Sequence, residues 1–286
     1  MNVIEIKNAV KSYDKFSLNI ENLEIPKGYI TGIIGCNGAG KTTLIKSILG
    51  ITEHDSGEIK IFGKTMKGNE RELKNKIGVM WGHSGFYAGV TLKRMTKMIK
   101  RFYSDWDETA YKNYIEKFEL DESKKYKELS MGMCAKYSIA LALSHNAELI
   151  IMDEPSSGLD PIAREELMDI FSELIAEKEI SIVISTHITS DLDRIADFIV
   201  MIDDGRAVLN MPKDELIETH RIVKGGKDEL TDEVKKHLIS YKSNAYNFEG
   251  LTKEADYMRT HYKSFVYEKP IIEDIMRFTD RSDNNA

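Results

Sequence analysis

Gly35-Cys36-Asn37-Gly38-Ala39-Gly40-Lys41-Thr42 spells G-x-x-x-x-G-K-[ST], a pattern that wraps glycine backbone around phosphate oxygens and turns successive N–H groups inward. At this spacing Lys41 reaches β- and γ-phosphates and Thr42 can ligand Mg²⁺, with Thr43 beside them at the start of a helix whose dipole favours anions. A second run, Leu149-Ile150-Ile151-Met152-Asp153-Glu154, is an apolar strand ending in two carboxylates. Side chains at the C-terminal ends of parallel strands project into the crevice where open α/β sheets bind ligands. Asp153 is therefore placed to hold Mg²⁺, directly or through water. Glu154 is placed to polarise a water attacking the γ-phosphate, a reaction that demands positioning and charge stabilisation more than covalent help. In isolation, Asp-Glu-Pro would read as a solvated acidic turn.

These residues need elements to position them. Tyr29 to Ile34 is short, apolar and β-branched, and Lys41 to Leu49 carries Leu44, Ile45, Ile48 and Leu49 at helical spacing, so the glycine loop joins a strand to a helix. Leu149 to Met152 and Ile180 to Ile184 lack polar alternation, which marks strands covered on both faces as in a parallel sheet. The expectation is an α/β core with helices on both sides. Leu92 to Phe118 and Met133 to Leu143 have amphipathic helical patterns and suggest an inserted helical subdomain over about 88–145. Lys224-Gly225-Gly226-Lys227 reads as a turn, and a smaller second domain is expected over 213–286, after a first over 1–212. Tyr241, Tyr246, Phe248, Tyr257, Tyr262, Phe265 and Tyr267 would supply it with a core or a dimer contact.

Composition narrows the partners. With 286 residues, 42% hydrophobic and 30% charged, the chain can bury a sizeable core and is not intrinsically disordered. A net charge of −7 would repel a long phosphate backbone, so nucleic acid is not an expected partner. No stretch approaches the roughly 18–20 apolar residues of a spanning helix. Cys36 and Cys134 form no CxxC pair, which fits a reducing, cytoplasmic setting.

Further motifs extend the picture. Leu129-Ser130-Met131-Gly132-Met133 is similar to the Leu-Ser-Gly-Gly-Gln signature of the nucleotide-binding subunits of ABC transporters, with Ser130 and Gly132 retained. Ser157-Gly158-Leu159-Asp160 resembles that family's D-loop, Ser185-Thr186-His187 its switch-histidine segment, and Tyr13 lies where the family stacks an aromatic ring on adenine. The resemblance spans roughly residues 1–210. It implies a P-loop cassette: a RecA-like parallel core with an inserted helical subdomain and an N-terminal antiparallel β part. ATP and Mg²⁺ are the implied cofactors, and Lys41, Glu154, Asp160 and His187 the implied catalytic residues.

The resemblance also implies a head-to-tail homodimer, each nucleotide lying between one copy's phosphate loop and the other's Ser130 and Gly132, which would precede a helix beginning near Met133. One departure stands out. The family's glutamine slot after Ile77-Gly78 holds Gly82, with His83 beside it; His83 either takes over the glutamine's contacts or is a surface histidine. Arg101 to Glu108 and Pro270 to Met276 resemble single-cassette ATPases of bacterial exporters, similar to those of Gram-positive peptide exporters. That branch implies a separate transmembrane permease subunit, peripheral attachment at the cytoplasmic face of the cell membrane, and an amphipathic or antimicrobial peptide as cargo. The alternative is a soluble ABC ATPase that remodels a cytosolic complex.

Overall fold

Alternating apolar residues at the N-terminus build a long antiparallel hairpin, β1 (Asn2–Tyr13) and β2 (Phe16–Pro26). Its inner face buries Ile4, Ile6, Leu18, Ile20, Leu23 and Ile25, as a half-solvated sheet should. The computed structural model describes residues 1–81, 86–178 and 180–279. After the hairpin come β3 (Ile30–Ile34), α1 (Lys41–Ile48), β4 (Ser56–Ile61), β5 (Lys64–Thr65), α2 (Glu70–Asn75) and β6 (Ile77–Trp81). A helical stretch of α3 (Leu92–Ile99), α4 (Glu108–Lys117) and α5 (Met131–Ser144) then leads to β7 (Leu149–Asp153). The core closes with α6 (Pro161–Lys178), β8 (Ser181–Ser185), α7 (Thr189–Ile195), β9 (Phe198–Asp203) and β10 (Arg206–Pro212).

The central sheet runs β10-β9-β3-β8-β7-β6, with every pair parallel except β9 and β10. Strands β3, β7 and β8 are buried on both faces, and successive residues in them serve two cores. Ile33, Ile151 and Val183 pack toward α1 and the N-terminal sheet, whose order is β2-β1-β4-β5. Ile34, Ile150, Met152, Ile182 and Ile184 pack toward α5, α6 and α7. This is why those strands show no polar alternation.

The remaining chain forms α8 (Lys213–Thr219), β11 (Arg221–Gly226), α9 (Asp232–Lys236), β12 (Ser240–Ser243), β13 (Asn247–Thr252), α10 (Ala255–His261), β14 (Val266–Glu268) and α11 (Ile272–Thr279). Here the sequence-based expectation of a turn at Lys224 to Lys227 is corrected. Gly225 and Gly226 are the last residues of β11, paired with Phe248 and Asn247. A Cβ on Gly225 would stand 2.6 Å from Phe248 and 2.8 Å from Phe265, so glycine is there to let two aromatic rings cross the strand.

Phe248 and Phe265 form a small core with Val223, Val234 and Met258, edged by Tyr262 and Tyr267, whereas Tyr241, Tyr246 and Tyr257 are exposed. Leu216, Ile222, Leu251, Ile272, Ile275 and Phe278 instead join the large core beside Leu192 and Ile195 of α7. Phe278 is 1% exposed. Phe278→Ala should therefore cost about 3–5 kcal/mol, read as a lower urea midpoint for the whole chain with the slope unchanged. A separate, earlier transition confined to the C-terminal segment would contradict that shared core.

Candidate active site

The glycine loop folds as its spelling demands. Gly35, Gly38 and Gly40 have φ of 152°, 85° and 113°, and a Cβ on Gly35 would lie 2.2 Å from the Ile202 carbonyl oxygen, so no other residue fits at 35 without moving β9. Lys41 opens α1 and is buried. Its Nζ donates to the carbonyl oxygens of Gly35 at 2.7 Å and Cys36 at 3.2 Å, holding the loop curled around an ammonium. The hairpin packs closely on the loop at Gly40, because a Cβ there would meet the Phe16 ring at 2.8 Å. Tyr13, 6.4 Å from Phe16 between ring centroids and 48% exposed, thus stands on the loop's side of the hairpin, with the Lys11 ammonium 5.8 Å over its ring. Asn37 is exposed, Ala39 buried and Thr43 half-buried.

Parallel register brings the carboxylates to the same end of the sheet. Asp153 and Ser185 are paired across β7 and β8. Asp153 Oδ2 accepts from the Thr42 hydroxyl at 2.8 Å, and its Oδ1 accepts from the Ser185 hydroxyl. Ser185 is a residue that motif reading assigned only to a segment; its neighbour relation to Asp153 comes from strand order.

Glu154 has φ of 53°, the left-handed region that a glutamate rarely adopts. Its N–H donates to the Ser185 carbonyl at 2.9 Å, and its Oε2 accepts from His187 Nδ1 at 2.6 Å. The His187 N–H points at the same oxygen from 3.4 Å. Strained backbone of this kind concentrates where a side chain must be aimed. Here it aims a carboxylate past the end of β7 with one oxygen tethered and the other unclaimed by His187.

Other expected residues lie at helix starts. Ser130 is the N-cap of α5, accepting from Met133 N–H at 3.2 Å. The helix therefore begins at Met131, two residues earlier than the sequence suggested, and Gly132 lies inside its first turn. A serine oxygen that satisfies the N–H three residues on extends a helix toward itself. Gly132 sits against α6, where a Cβ would be 3.2 Å from that of Ala163. Asp160 caps α6, accepting from Ile162 and Ala163 N–H at 3.0 Å each. Among the described residues, no hydrogen bond joins Ser130 or Asp160 to the phosphate loop. Burial raises the pKa of the Cys134 thiol, which keeps it protonated, while Cys36 is exposed in the loop. His83 lies outside the described residues.

A pattern described as ABC transporter matches residues 18–157. The chain is 34% identical over 222 residues to the bacitracin transport ATP-binding protein BcrA of Enterococcus faecalis, covering 77% of this chain and 72% of the relative. The chain belongs to the ABC transporter ATP-binding family. The lantibiotic transport ATP-binding protein SrtF of Streptococcus pyogenes is likewise 34% identical, over 215 residues, with 74% of this chain and 92% of SrtF covered. Among solved structures, an ATP binding subunit of an ABC transporter matches with a TM-score of 0.67 at 28% identity, covering 76% of this chain and 92% of the other. A nucleotide-free ATP-binding cassette gives a TM-score of 0.65 at 25% identity, over 76% and 94%.

This ABC ATPase thus has the cassette architecture that its motifs implied, and it is an ATP hydrolase of that family. Among the described residues, no helix is long and apolar enough to cross a membrane.

Proposed function

We propose that this ATPase powers a bacterial exporter whose membrane-spanning part is a separate subunit, and that MgATP closes two copies of the chain head to tail. The observation that carries the reading is the set Lys41, Thr42, Asp153, Glu154, Ser185 and His187, gathered at the C-terminal ends of β3, β7 and β8. Backbone N–H groups of residues 35–42 and the Lys41 ammonium take the phosphates. The Thr42 hydroxyl and Asp153 carboxylate, 2.8 Å apart, are hard oxygen donors that would hold Mg²⁺, and the ion would supply positive charge against the bound phosphates. Glu154 accepts a proton from the attacking water as that oxygen bonds to the γ-phosphorus and the bond to the β-phosphate oxygen breaks, releasing ADP and phosphate. His187 holds Glu154 in the necessary direction.

Head-to-tail closure is supported by a surplus of anion sites. The phosphate loop alone can cradle the nucleotide, yet the N-terminus of α5 with Ser130 and Gly132 is a second such site in the same chain. Ser130→Asp provides a selective test, because aspartate caps helices as well as serine does, while its charge would oppose the γ-phosphate of the other copy. In a Glu154→Gln background, MgATP should double the mass seen by light scattering, and adding Ser130→Asp should abolish the doubling. An unchanged doubling would remove Ser130 from the interface.

Export is supported by the functions of relatives: bacitracin transport, lantibiotic transport, and Nod factor export in Burkholderia lata. An amphipathic peptide is the cargo these names favour. Affinity capture of the Glu154→Gln protein from detergent-solubilised host membranes should bring down one polytopic protein in stoichiometric amount. Recovery of soluble proteins alone would overturn the exporter reading and leave the ATPase chemistry standing.

A further inference from the structure

The chain on either side of Glu154 is tied to the segment that carries His187. Before Glu154, the Asp153 carboxylate accepts from the Ser185 hydroxyl. After it, the Ser156 hydroxyl donates to Asp191 Oδ2 at 2.6 Å, the length of a charge-assisted O–H···O⁻ bond. Both partners of this second tie are buried, Ser156 1% and Asp191 6% exposed. A buried carboxylate is costly unless its hydrogen bonds are made. Among the described residues, neither side chain is hydrogen-bonded to the phosphate loop.

The backbone between the two ties needs outside support. Glu154 is in the left-handed region, and such strain persists only where the surroundings over-determine it. Pro155 follows and has no N–H to give. The turn's own backbone bonds are long: Ser157 N–H to the Glu154 carbonyl at 3.3 Å and Leu159 N–H to the Ser156 carbonyl at 3.2 Å. Asp191, by contrast, stands on a fixed helix. Its neighbour Leu192 packs on β3 so closely that a Cβ on Gly32 would be 2.5 Å away. Asp193 Oδ1 accepts from the Ile272 N–H at 3.1 Å, and the Asp193 carbonyl accepts from Lys213 Nζ at 2.8 Å. Helix α7 is thereby braced between the strand that leads into the phosphate loop and the C-terminal part of the chain.

We infer that Asp191 and Ser156 are positioning residues for hydrolysis, their buried hydrogen bond holding the turn after Glu154 in register with the His187 segment so that the carboxylate stays aimed at the attacking water. The inference rests on Glu154 acting as the general base. Neither residue touches substrate; both act through Glu154.

Steady-state ATP turnover and urea denaturation of the full chain test it together. Ser156→Ala should lower kcat about ten- to a hundredfold, the scale on which a misplacement of about 1 Å acts, while KM for ATP stays put because the phosphate loop is untouched. Asp191→Leu should do the same, and Asp191→Asn, which still offers Ser156 an acceptor oxygen, should recover most of the loss. Either disruptive change also lowers the urea midpoint, since it strands a buried polar partner. Combining Ser156→Ala with Asp191→Leu replaces both partners by apolar groups of similar shape, which should restore the midpoint and leave kcat low. In a Glu154→Gln background, Ser156→Ala should slow the residual turnover no further. That comparison decides the matter even if the doubly apolar variant fails to fold. Unchanged kcat in Ser156→Ala, recovery of kcat together with the midpoint, or an equal loss in both backgrounds would overturn the inference and leave the pair a purely structural bond. Wild-type turnover in Glu154→Gln alone would instead remove the general-base reading, so the two failures are told apart.

Discussion

Replacing Glu154 with glutamine should slow ATP hydrolysis by about 10²–10⁴-fold, the range a positioned general base supplies, while ATP still binds. Glutamine keeps the length and one acceptor oxygen, so it can still receive the His187 Nδ1 proton that Glu154 Oε2 receives at 2.6 Å. The left-handed backbone at φ 53° is equally open to both residues, and the N–H bond to Ser185 is untouched. What disappears is the ability to take a proton from water. The separation between binding and chemistry is therefore the diagnostic: phosphate release collapses, while nucleotide retained on the protein rises because the closed state no longer discharges. His187→Ala should act differently. It frees a carboxylate that remains basic, so turnover falls by a smaller factor, and the Glu154→Gln, His187→Ala double variant should be no slower than Glu154→Gln alone, since the histidine acts through the carboxylate. Phosphate release by Glu154→Gln within threefold of wild type would show that another group activates the water.

Much of this site was legible because its residue types are constrained by single local events. Gly35 through Thr42 can be read without tertiary knowledge, since loop curvature and the helix start are both encoded within eight residues. The strands carrying Ile33, Ile151 and Val183 were legible for a related reason: burial on two faces leaves an apolar run with no alternation. What could not be read was adjacency across the sheet. Ser185 reaches Asp153 only because β8 lies next to β7 in that register, and no spacing in the chain encodes strand order. The same limit explains Gly225, where paired glycines signal a turn locally but the rings of Phe248 and Phe265 had to be placed before a strand made sense. Ser130 shows a third kind of ambiguity. Its hydroxyl suits an anion and a helix N–H equally well, and within one chain the helix takes it.

Lys41→Ala should remove most of the ATP affinity while leaving the chain folded, at a cost of about 1–3 kcal/mol to the empty protein. In the unliganded chain the Lys41 ammonium is buried, only 7% exposed, and spends its protons on two loop carbonyls at 2.7 and 3.2 Å. Removing it frees the Cys36 carbonyl at an exposed residue, where water can replace the donor, but leaves the buried Gly35 carbonyl without its 2.7 Å partner, so the cost to the empty protein is about 1–3 kcal/mol. The cost to the complex is larger, because a hydrogen bond to a charged phosphate is worth about 1.5–3 kcal/mol, a factor of roughly 10–150 in the dissociation constant. Denaturation with and without nucleotide reads both quantities together. At an ATP concentration a hundred times the wild-type dissociation constant, binding stabilises the wild type by about 2.7 kcal/mol. A variant that binds a hundredfold more weakly gains only about 0.4 kcal/mol under the same conditions. Lys41→Arg should resemble the alanine variant, since a planar five-donor fork cannot occupy a space curled around a single ammonium. If Lys41→Ala kept the full ATP-dependent stabilisation, the loop backbone alone would be holding the triphosphate, and the lysine would serve only to shape the empty loop.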